Sequence, residues 1–167
     1  MLYDLETFIS RREGDREPIH AWKWACLSLP FGMDADYCET VDLPKPSFAQ
    51  KNLFAAGTFS FYPGFQEISA FDCIFHEDIS LRTSDWLTGW RNKMRDPETG
   101  AYALPPEYKY PLTFGLFSSG NKMILKAECR NCWPTTEGAW SLNYNGGNEL
   151  LKVNINFSTD GVIYTRV

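Results

Sequence analysis

Apolar and polar side chains alternate along much of this chain, which is the pattern of β-strands that bury one face. The cleanest alternation lies near the end, where polar residues separate Leu151, Val153, Ile155 and Phe157. The same period predicts strands over residues 21–29, 37–43, 68–77, 112–117, 122–130, 139–145 and 149–158. The last two are predicted to form a hairpin, because Asn-Gly-Gly-Asn at 145–148 is a strong turn sequence. Residues 131–138 are predicted to be a turn.

Residues 84–94 have helical spacing, with apolar side chains about one turn apart. These apolar residues are Trp86, Leu87, Trp90 and Met94. Ser84 or Thr83 is predicted to cap this helix. A short helix is also predicted at about 3–12, followed by a polar arm to residue 20. Together the pattern predicts a mainly β (α+β) fold, a β-sandwich or barrel-like domain with one packed helix.

The segment 44–66 is rich in aromatic side chains but is interrupted by Gly57, Pro63 and Gly64. These residues predict a long loop. Such loops are uncommon in a compact domain without a function, and exposed apolar patches mark contact surfaces. A contact role is therefore predicted for Phe48, Leu53, Phe54, Phe59, Phe61 and Phe65. The alternative of two short strands with these side chains in the core stays open.

Composition places the chain among globular proteins. Its 167 residues correspond to a single domain, 1–167, and 16% of them are aromatic. Aromatic residues at periodic positions are predicted to be core: Trp22, Trp24, Phe71, Phe75, Trp86, Trp90 and Phe157. The net charge of −5 argues against non-specific binding to nucleic acid, which requires a cationic surface. No stretch approaches the roughly 20 apolar residues of a membrane span, and no secretory signal is evident, so we expect no membrane insertion.

Candidate catalytic and metal-binding chemistry is sparse. His76-Glu77-Asp78 lies at a predicted strand end, where successive side chains point to opposite faces. Cys129 and Cys132 have C-x-x-C spacing, but a zinc site needs a second pair of ligands and the other three cysteines are scattered. There is no glycine-rich phosphate loop and no nucleophile elbow. The sequence therefore predicts no cofactor, no metal and no enzymatic activity.

The order of motifs in the C-terminal half is more specific than any one of them. Residues 128–158, ECRNCWPTTEGAWSLNYNGGNELLKVNINFS, contain a strand, Trp-Pro-Thr, a short strand, Asn-Glu and an alternating final strand. Leu43-Pro44, the tryptophan-bearing helix and the sequence Pro-Glu-Tyr-Lys at 106–109 precede them in a matching order. Over roughly residues 20–160 this arrangement resembles the tail tube proteins of contractile-tailed bacteriophages. Baseplate tube initiators and type VI secretion tube proteins belong to the same superfamily.

The resemblance implies a structural virion protein. Six copies would form a ring whose inner sheets join into a 24-stranded barrel, and stacked rings would form the tube inside a contractile sheath. The implied partners are further copies, the tail sheath protein, and the baseplate and tail-terminator proteins. The tape measure protein and the DNA would pass through the lumen without specific binding. The implied location is the virion tail, assembled in the host bacterial cytoplasm, with a baseplate tube initiator or a type VI secretion tube as alternatives.

The resemblance also implies roles for particular residues. The segment 44–66 corresponds to the long loop that reaches the neighbouring ring. If the last hairpin joins the inner barrel, its polar face lines the lumen: Ser141, Asn143, Asn145, Lys152, Asn154, Asn156 and Ser158. The candidates for a sheath-facing surface are Arg91, Lys93 and Arg95. For both sets an ordinary solvent face is the alternative. Disulfides between subunits are hypothesised for Cys38, Cys129 and Cys132.

Overall fold

The computed structural model describes residues 19–142, 147 and 149–167, and these residues are mostly in antiparallel strands. The strands are β1 (Trp24–Ser28), β2 (Cys38–Val41), β3 (Ser47–Ala55), β4 (Thr58–Glu67), β5 (Phe71–His76), β6 (Tyr110–Phe117), β7 (Met123–Glu137), β8 (Lys152–Ser158) and β9 (Gly161–Arg166). The helices are α1 (Arg82–Met94) and the single-turn α2 (Pro105–Tyr108). Two 3-10 turns, Pro30–Gly32 and Ala35–Tyr37, connect β1 to β2. The helix predicted at 3–12 lies outside the described residues.

Strand β7 belongs to two sheets. Its N-terminal part lies between β6 and β9, and β6 pairs in turn with β1. Its C-terminal part pairs with β8, which is followed by β5 and β2. We call the first four-stranded group sheet A and the second, from the end of β7 to β2, sheet B. The predicted mainly β fold with one packed helix is confirmed, with α2 as a further short helix.

The bend in β7 lies between its two parts. Asn131 has a left-handed backbone with φ of 53°, and the register against β8 shifts between Pro134 and Thr136. Proline donates no hydrogen bond to a neighbouring strand, so within sheets it occurs at edges and bulges. Pro134 is fully buried opposite Phe157. The prediction of a turn at 131–138 is therefore wrong, because these residues bend a strand without ending it.

The core lies between the inner faces of the two sheets and one face of α1. Phe157 of β8 is central, with its ring centroid 5.7 Å from that of Trp90 and 5.8 Å from that of Phe71. Phe71 in turn lies 6.4 Å from Phe114 of sheet A. Because each aromatic side chain buries roughly 150–250 Å², this cluster fixes α1 and sheet A against sheet B. Trp22, also predicted to be core, is 69% exposed because it precedes the first strand.

Both tryptophans of α1 use their indole N–H groups to hold neighbouring segments. Trp86 donates to the Pro30 carbonyl at 2.9 Å, and Trp90 donates to the Tyr108 carbonyl at 2.7 Å. A buried indole N–H normally requires such a partner. None of the helices among the described residues is long and apolar enough to cross a membrane.

Three other segments differ from their predictions. Most of the predicted loop 44–66 forms β3 and β4, a separate two-stranded sheet. The described part of the predicted strand 139–145 is not a strand, and 143–145 lies outside the described residues. Strand β9, which pairs with β7, was not predicted.

Candidate assembly surfaces

Strands β3 and β4 form a hairpin that stands apart from sheets A and B. Its two-residue turn, Ala56-Gly57, connects Ala55 to Thr58, and these two residues pair with each other. Ala56 and Gly57 have φ of 52° and 78°, the positive values that a type I′ turn requires. The aromatic segment is therefore an ordered hairpin, which neither the predicted loop nor the alternative of core strands describes.

A bulge changes the register of the hairpin near its base. The pairing shifts between Phe48 and Gln50, and the additional residue lies on β4 beside Gly64. A Cβ at Gly64 would lie 2.7 Å from the carbonyl oxygen of Ala49. Only glycine permits this approach, and bulges increase the local twist of a strand pair.

One face of the hairpin consists largely of phenylalanine. Phe54 and Phe59 are directly opposed, with ring centroids 5.0 Å apart. Phe61 is opposite Asn52. Phe48 lies on the same face of β3 as Asn52 and Phe54, because successive side chains of a strand alternate between its faces. The four phenylalanine side chains are 61–65% exposed. We call this set, Phe48, Phe54, Phe59 and Phe61, the Phe face.

The second face of the hairpin is mixed, with exposed apolar side chains beside Lys51, Thr58 and Ser60. Leu53 and Tyr62 lie on it, and the Lys51 ammonium is 4.7 Å from the ring centroid of Phe65. Tyr62 was not among the predicted contact residues, although the alternation of Thr58 to Tyr62 is a strand signal. An isolated two-stranded hairpin is at best marginally stable in water, and monomeric proteins rarely expose apolar patches of this extent. Both faces therefore have the chemistry of contact surfaces.

Sheet B has a buried face and a polar face. On the polar face, residues of β8 are directly opposed to residues of β5, in the pairs Lys152–His76, Asn154–Ile74 and Asn156–Asp72. The intervening residues, such as Val153 and Phe75, are fully buried. Of the predicted lumen residues, Lys152 and Asn154 are exposed, and Asn156 and Ser158 are half-buried on this face. Ser141 is exposed outside the strands, and Asn143 and Asn145 lie outside the described residues.

Charged and amide groups on the polar face are bound to one another. The Lys152 ammonium lies 2.7 Å from a carboxylate oxygen of Glu39 on β2. The Asn156 amide donates to the Asp72 carboxylate at 3.0 Å and accepts from the Thr135 hydroxyl at 2.6 Å. Lys152 is therefore neutralised by a neighbour, which lowers its attraction for a phosphate group.

The two edges of sheet B are open. Within the described residues, neither β2 nor the segment 133–137 of β7 pairs with a strand on its outer side. Such edges present unpaired N–H and C=O groups to another chain. The sequence predicted that β8 contributes to this polar face. It also predicted β5 as a strand, but no local sequence pattern indicates that β5 pairs with β8.

The segment at the end of β5 makes three separate structural contacts, through His76, Glu77 and Asp78. The His76 ring stacks on Tyr37 with centroids 4.7 Å apart. Glu77 points inward and accepts from the backbone N–H of Ser84 at 2.9 Å. Asp78 accepts from the Tyr37 hydroxyl at 2.7 Å, and this bond lowers the pKa of Asp78 and raises that of Tyr37. The described residues contain no group of three His, Cys, Asp or Glu side chains placed to hold a metal ion.

The three basic residues predicted to face a sheath differ in their contacts. Arg91 is half-buried and pairs with Glu137 of β7 at 2.8 Å. Lys93 is exposed, with its ammonium 5.1 Å from the ring centroid of Phe31. Arg95 is exposed just after the end of α1. Lys93 and Arg95 can therefore contact a partner, whereas Arg91 holds the helix to sheet B.

The cysteines lie within the protomer in two groups. Cys26, Cys38 and Cys73 form one group, in which the bond to Cys38 and then burial raise the pKa of Cys26. Cys129 and Cys132 form the other, with the Cys132 thiol donating to the Cys129 carbonyl at 3.3 Å. Cys38, Cys129 and Cys132 are all buried. Because only an accessible thiolate attacks another sulfur, this burial disfavours the hypothesised disulfides between subunits.

Comparison with known proteins identifies the fold. No family model matches the chain, and no curated protein matches it in sequence. A chain of the PVC sheath–tube complex, an extracellular contractile injection system in its extended state, is 14% identical with a TM-score of 0.69, over 95% of this chain and 97% of that chain. A chain of the anti-feeding prophage tube-terminating cap is 13% identical with a TM-score of 0.70, over 90% and 93%.

A chain of the six-fold symmetrised anti-feeding prophage baseplate is 7% identical with a TM-score of 0.63, over 89% of this chain and 96% of that chain. At these identities the similarity concerns the fold alone. The resemblance to tail tube proteins is confirmed at that level, because the chain has a fold found in the tube, cap and baseplate assemblies of contractile injection systems.

Proposed function

We propose that this chain is a tube-forming structural protein of a contractile injection machine, in which six copies close into a ring. The observation that supports this most strongly is the organisation of sheet B. It has four strands, one face buried in the protomer, one open polar face and two unpaired edges among the described strands. Six copies of such a sheet supply the 24 strands of the barrel that the resemblance implies.

In this proposal the ring closes when the β2 edge of one copy pairs with the β7 edge of the next. Both edges carry features that restrict pairing, a register shift between Cys38 and Thr40 in β2 and Pro134 in β7. Bulges and prolines protect sheet edges from indiscriminate association. The edges therefore favour one defined neighbour over open-ended aggregation.

The polar face of sheet B then lines the lumen, with Lys152, Asn154, Asn156 and Ser158 on it. Amide and hydroxyl groups and an ion-paired lysine give this face little affinity for phosphate. Such a lining suits a conduit through which DNA or a protein must slide without being held. No catalytic step is part of this role.

The β3–β4 hairpin then packs between rings. Both of its faces expose large apolar side chains in the protomer, so a stacked ring would cover apolar surface that otherwise faces water. This assigns ring stacking to Leu53, Tyr62, Phe65 and the Phe face. The exposed cations Lys93 and Arg95 are the surface for the sheath.

We place the tube in the tail of a contractile bacteriophage, where it guides the genome into the host. Its partners there are the sheath, baseplate and tail-terminator proteins. A terminal ring of the same tube is a second candidate, because the fold matches the cap chain as closely as the sheath–tube chain. Copy number per particle separates the two: a main tube subunit is present in many rings and a terminal subunit in one.

Assembly of the purified chain tests the proposal. Sedimentation velocity over rising protein concentration, with negative-stain electron microscopy of each fraction, should reveal rings with six-fold symmetry and then stacked tubes. A chain that stays monomeric over the whole range, or forms only irregular aggregates, would contradict it.

A further inference from the structure

The side chains of Cys129 and Cys132 lie on the same side of β7, although their spacing should separate them. In a regular strand, side chains three positions apart point to opposite faces. Tyr110 of β6 pairs with Cys132, and Leu112, two residues further along, pairs with Cys129. β7 therefore has one residue more than β6 between the two pairs, which is a bulge. Because of this bulge both cysteine side chains are fully buried.

The two residues between the cysteines face outward and hold the bulge in place. Arg130 and Asn131 are both exposed, and Asn131 has the left-handed backbone that asparagine adopts more readily than most residues. The Asn131 amide donates to the Asp160 carboxylate at 3.1 Å. The Arg130 carbonyl accepts from the Thr159 hydroxyl at 2.8 Å. The turn between β8 and β9 therefore maintains the conformation that brings the two thiols together.

The two thiols differ in reactivity. The Cys132 thiol donates to the Cys129 carbonyl at 3.3 Å. When Cys132 is ionised, a hydrogen bond from the Cys129 thiol outweighs burial and lowers the pKa of Cys132. The same contact between the thiols, together with burial, raises the pKa of Cys129. Cys132 is therefore the nucleophile of the pair, because the thiolate reacts and the thiol does not.

A polar cavity lies directly outside the bulge. Its volume is about 470 Å³, and its lining includes Arg130, Asn131, Thr159 and Asp160. The Thr159 hydroxyl also lies beside the Cys132 sulfur, so this one side chain separates the sulfur from the cavity. A reagent of about the size of a water molecule needs only a small movement of Thr159 to reach Cys132, whereas a bulky thiol reagent needs the bulge to open.

We infer that Cys129 and Cys132 are a site of oxidation, at which a peroxide closes an intrachain disulfide across the bulge. The bond would join the residues at which β7 passes from sheet A to sheet B, directly before the segment 133–137. It would therefore fix the direction in which this segment enters sheet B. The inference does not depend on the proposed function, since every group in it belongs to one protomer.

The reaction consumes one molecule of hydrogen peroxide. The Cys132 thiolate attacks a peroxide oxygen, so that an S–O bond forms and the O–O bond breaks, and the second oxygen leaves as hydroxide and is protonated to water. The sulfur is oxidised to a sulfenic acid and the peroxide is reduced. Cys129 then attacks this sulfur. The S–S bond forms, the S–O bond breaks, and the hydroxyl group leaves with the Cys129 proton as a second water.

Burial disfavours disulfides between subunits but is compatible with this one. A thiol of another chain would have to reach a sulfur that is fully buried. Cys129 already lies beside Cys132, so the second step needs no access from outside, and only the small oxidant has to enter.

Peptide mapping of the unmodified native protein tests the inference. The protein is treated with hydrogen peroxide, the excess is removed with catalase, and free thiols are blocked with N-ethylmaleimide in denaturant before digestion with trypsin. Trypsin cleaves after Arg130, so Cys129 and Cys132 fall in different peptides, 127–130 and 131–152. We expect these peptides to be joined by a bond that dithiothreitol breaks, in a chain that runs as a monomer on a non-reducing gel. Blocked thiols in both peptides, or a predominant link to another cysteine or another chain, would overturn the inference.

Serine variants test the order of the two steps. In Cys129→Ser the reaction should stop at the sulfenic acid of Cys132, which dimedone traps. In Cys132→Ser the dimedone adduct of Cys129 should be about tenfold less abundant, because Cys129 is the thiol with the raised pKa. Equal adducts in the two variants would contradict the role of Cys132. Cys26→Ser is the control, since it removes the half-buried thiol and should leave the yield of the disulfide unchanged. Loss of the disulfide in this control would show that Cys26 starts the reaction and would overturn the inference. Circular dichroism confirms that each variant is folded.

Discussion

Ser84 donates both its backbone N–H, at 2.9 Å, and its hydroxyl, at 2.5 Å, to one carboxylate oxygen of Glu77. The other oxygen of Glu77 accepts from the backbone N–H of Thr83 at 2.9 Å. Glu77 comes from the end of β5 and is buried. A carboxylate from sheet B therefore caps α1, satisfying N–H groups that lack partners within the helix and complementing its dipole.

Removing this cap should destabilise the protein. Glu77→Ala leaves the N–H groups of Thr83 and Ser84 without acceptors in a buried site, which costs about 2–3 kcal/mol. Ser84→Ala removes only the hydroxyl and should cost about 1 kcal/mol. Urea unfolding followed by circular dichroism measures both changes. Equal destabilisation by the two variants would show that Glu77 has no special role at the helix terminus.

The turn of the β3–β4 hairpin predicts a stabilising substitution. Ala56 has a left-handed backbone, which costs a residue with a Cβ roughly 1 kcal/mol. Asparagine adopts this conformation readily and is favoured in type I′ turns, so Ala56→Asn should increase hydrogen-exchange protection of the β3 and β4 amides several-fold. Ala56→Val, a β-branched control, should decrease it. The reverse order of the two variants would contradict this description of the turn.

Substitutions in the Phe face are predicted to affect assembly of the tube far more than the stability of the protomer. Phe54→Asp and Phe59→Asp change exposed side chains and remove one cross-strand aromatic pair, so the free energy of unfolding of the protomer should fall by no more than about 1 kcal/mol. The same variants should prevent rings from stacking, because each places a charge in a contact that is otherwise apolar.

Tyr102→Asp is a control matched for exposure, since Tyr102 is an exposed aromatic residue outside the hairpin. Sedimentation and electron microscopy of all three variants measure the effect. Normal tubes from the Phe54 and Phe59 variants, or equal loss in the Tyr102 variant, would exclude a specific role of the Phe face.

Local patterns in the sequence were sufficient to predict the elements at the centre of the fold. β5, β8 and α1 each have one continuous buried face, so alternation or helical spacing identifies them directly. Phe157, Trp90 and Phe71 meet in the structure as predicted for core residues. The strand pairing that builds the polar face of sheet B was not predictable in this way, because it depends on contacts between residues far apart in the chain.

Two of the failed predictions, the turn at 131–138 and the loop at 44–66, involve residues that usually interrupt strands. Pro134 lies at a bulge in β7, and Pro63 and Gly64 lie at the register shift of the hairpin. In both cases a breaker residue bends a strand without ending it. The hairpin also lacks a buried face in the protomer, because nearly all of its side chains are exposed.

The ion pair between Lys109 and Asp160 predicts a dependence of stability on pH. The Lys109 ammonium donates to the carboxylate at 2.8 Å, and this bond lowers the pKa of Asp160. A group with a lowered pKa in the folded state stabilises the protein above its unfolded pKa of about 3.9, and this contribution disappears as the pH falls through the folded value. Asp160→Asn should therefore be less stable than the unmodified protein at pH 7, by up to about 1 kcal/mol for an exposed pair.

The difference should shrink toward zero in strong acid. Urea titrations of the two proteins at pH 7 and at decreasing pH values measure it. A difference that stays constant with pH would show that Asp160 acts through packing or shape and not through its charge.

Burial of the cysteines predicts their order of reaction. Cys26 is the half-buried member of the five, and the others are buried. A thiol reagent added to the native protein should modify Cys26 slowly and first, and the remaining four should react only after addition of denaturant. Peptide mapping identifies the sites. Rapid modification of Cys129 or Cys132 in the native protein would contradict this order and would support disulfides between subunits.

In the proposed assembly, sheet B forms the wall of a tube, with its polar face toward the lumen. A cryo-electron microscopy reconstruction of the assembled particle tests it most directly. We expect six copies per ring, β2 of each copy paired with the end of β7 of the next, and Lys152, Asn154 and Asn156 on the inner surface. A reconstruction in which these three residues are buried between rings or face outward, or in which β2 and β7 of neighbouring copies do not meet, would contradict it.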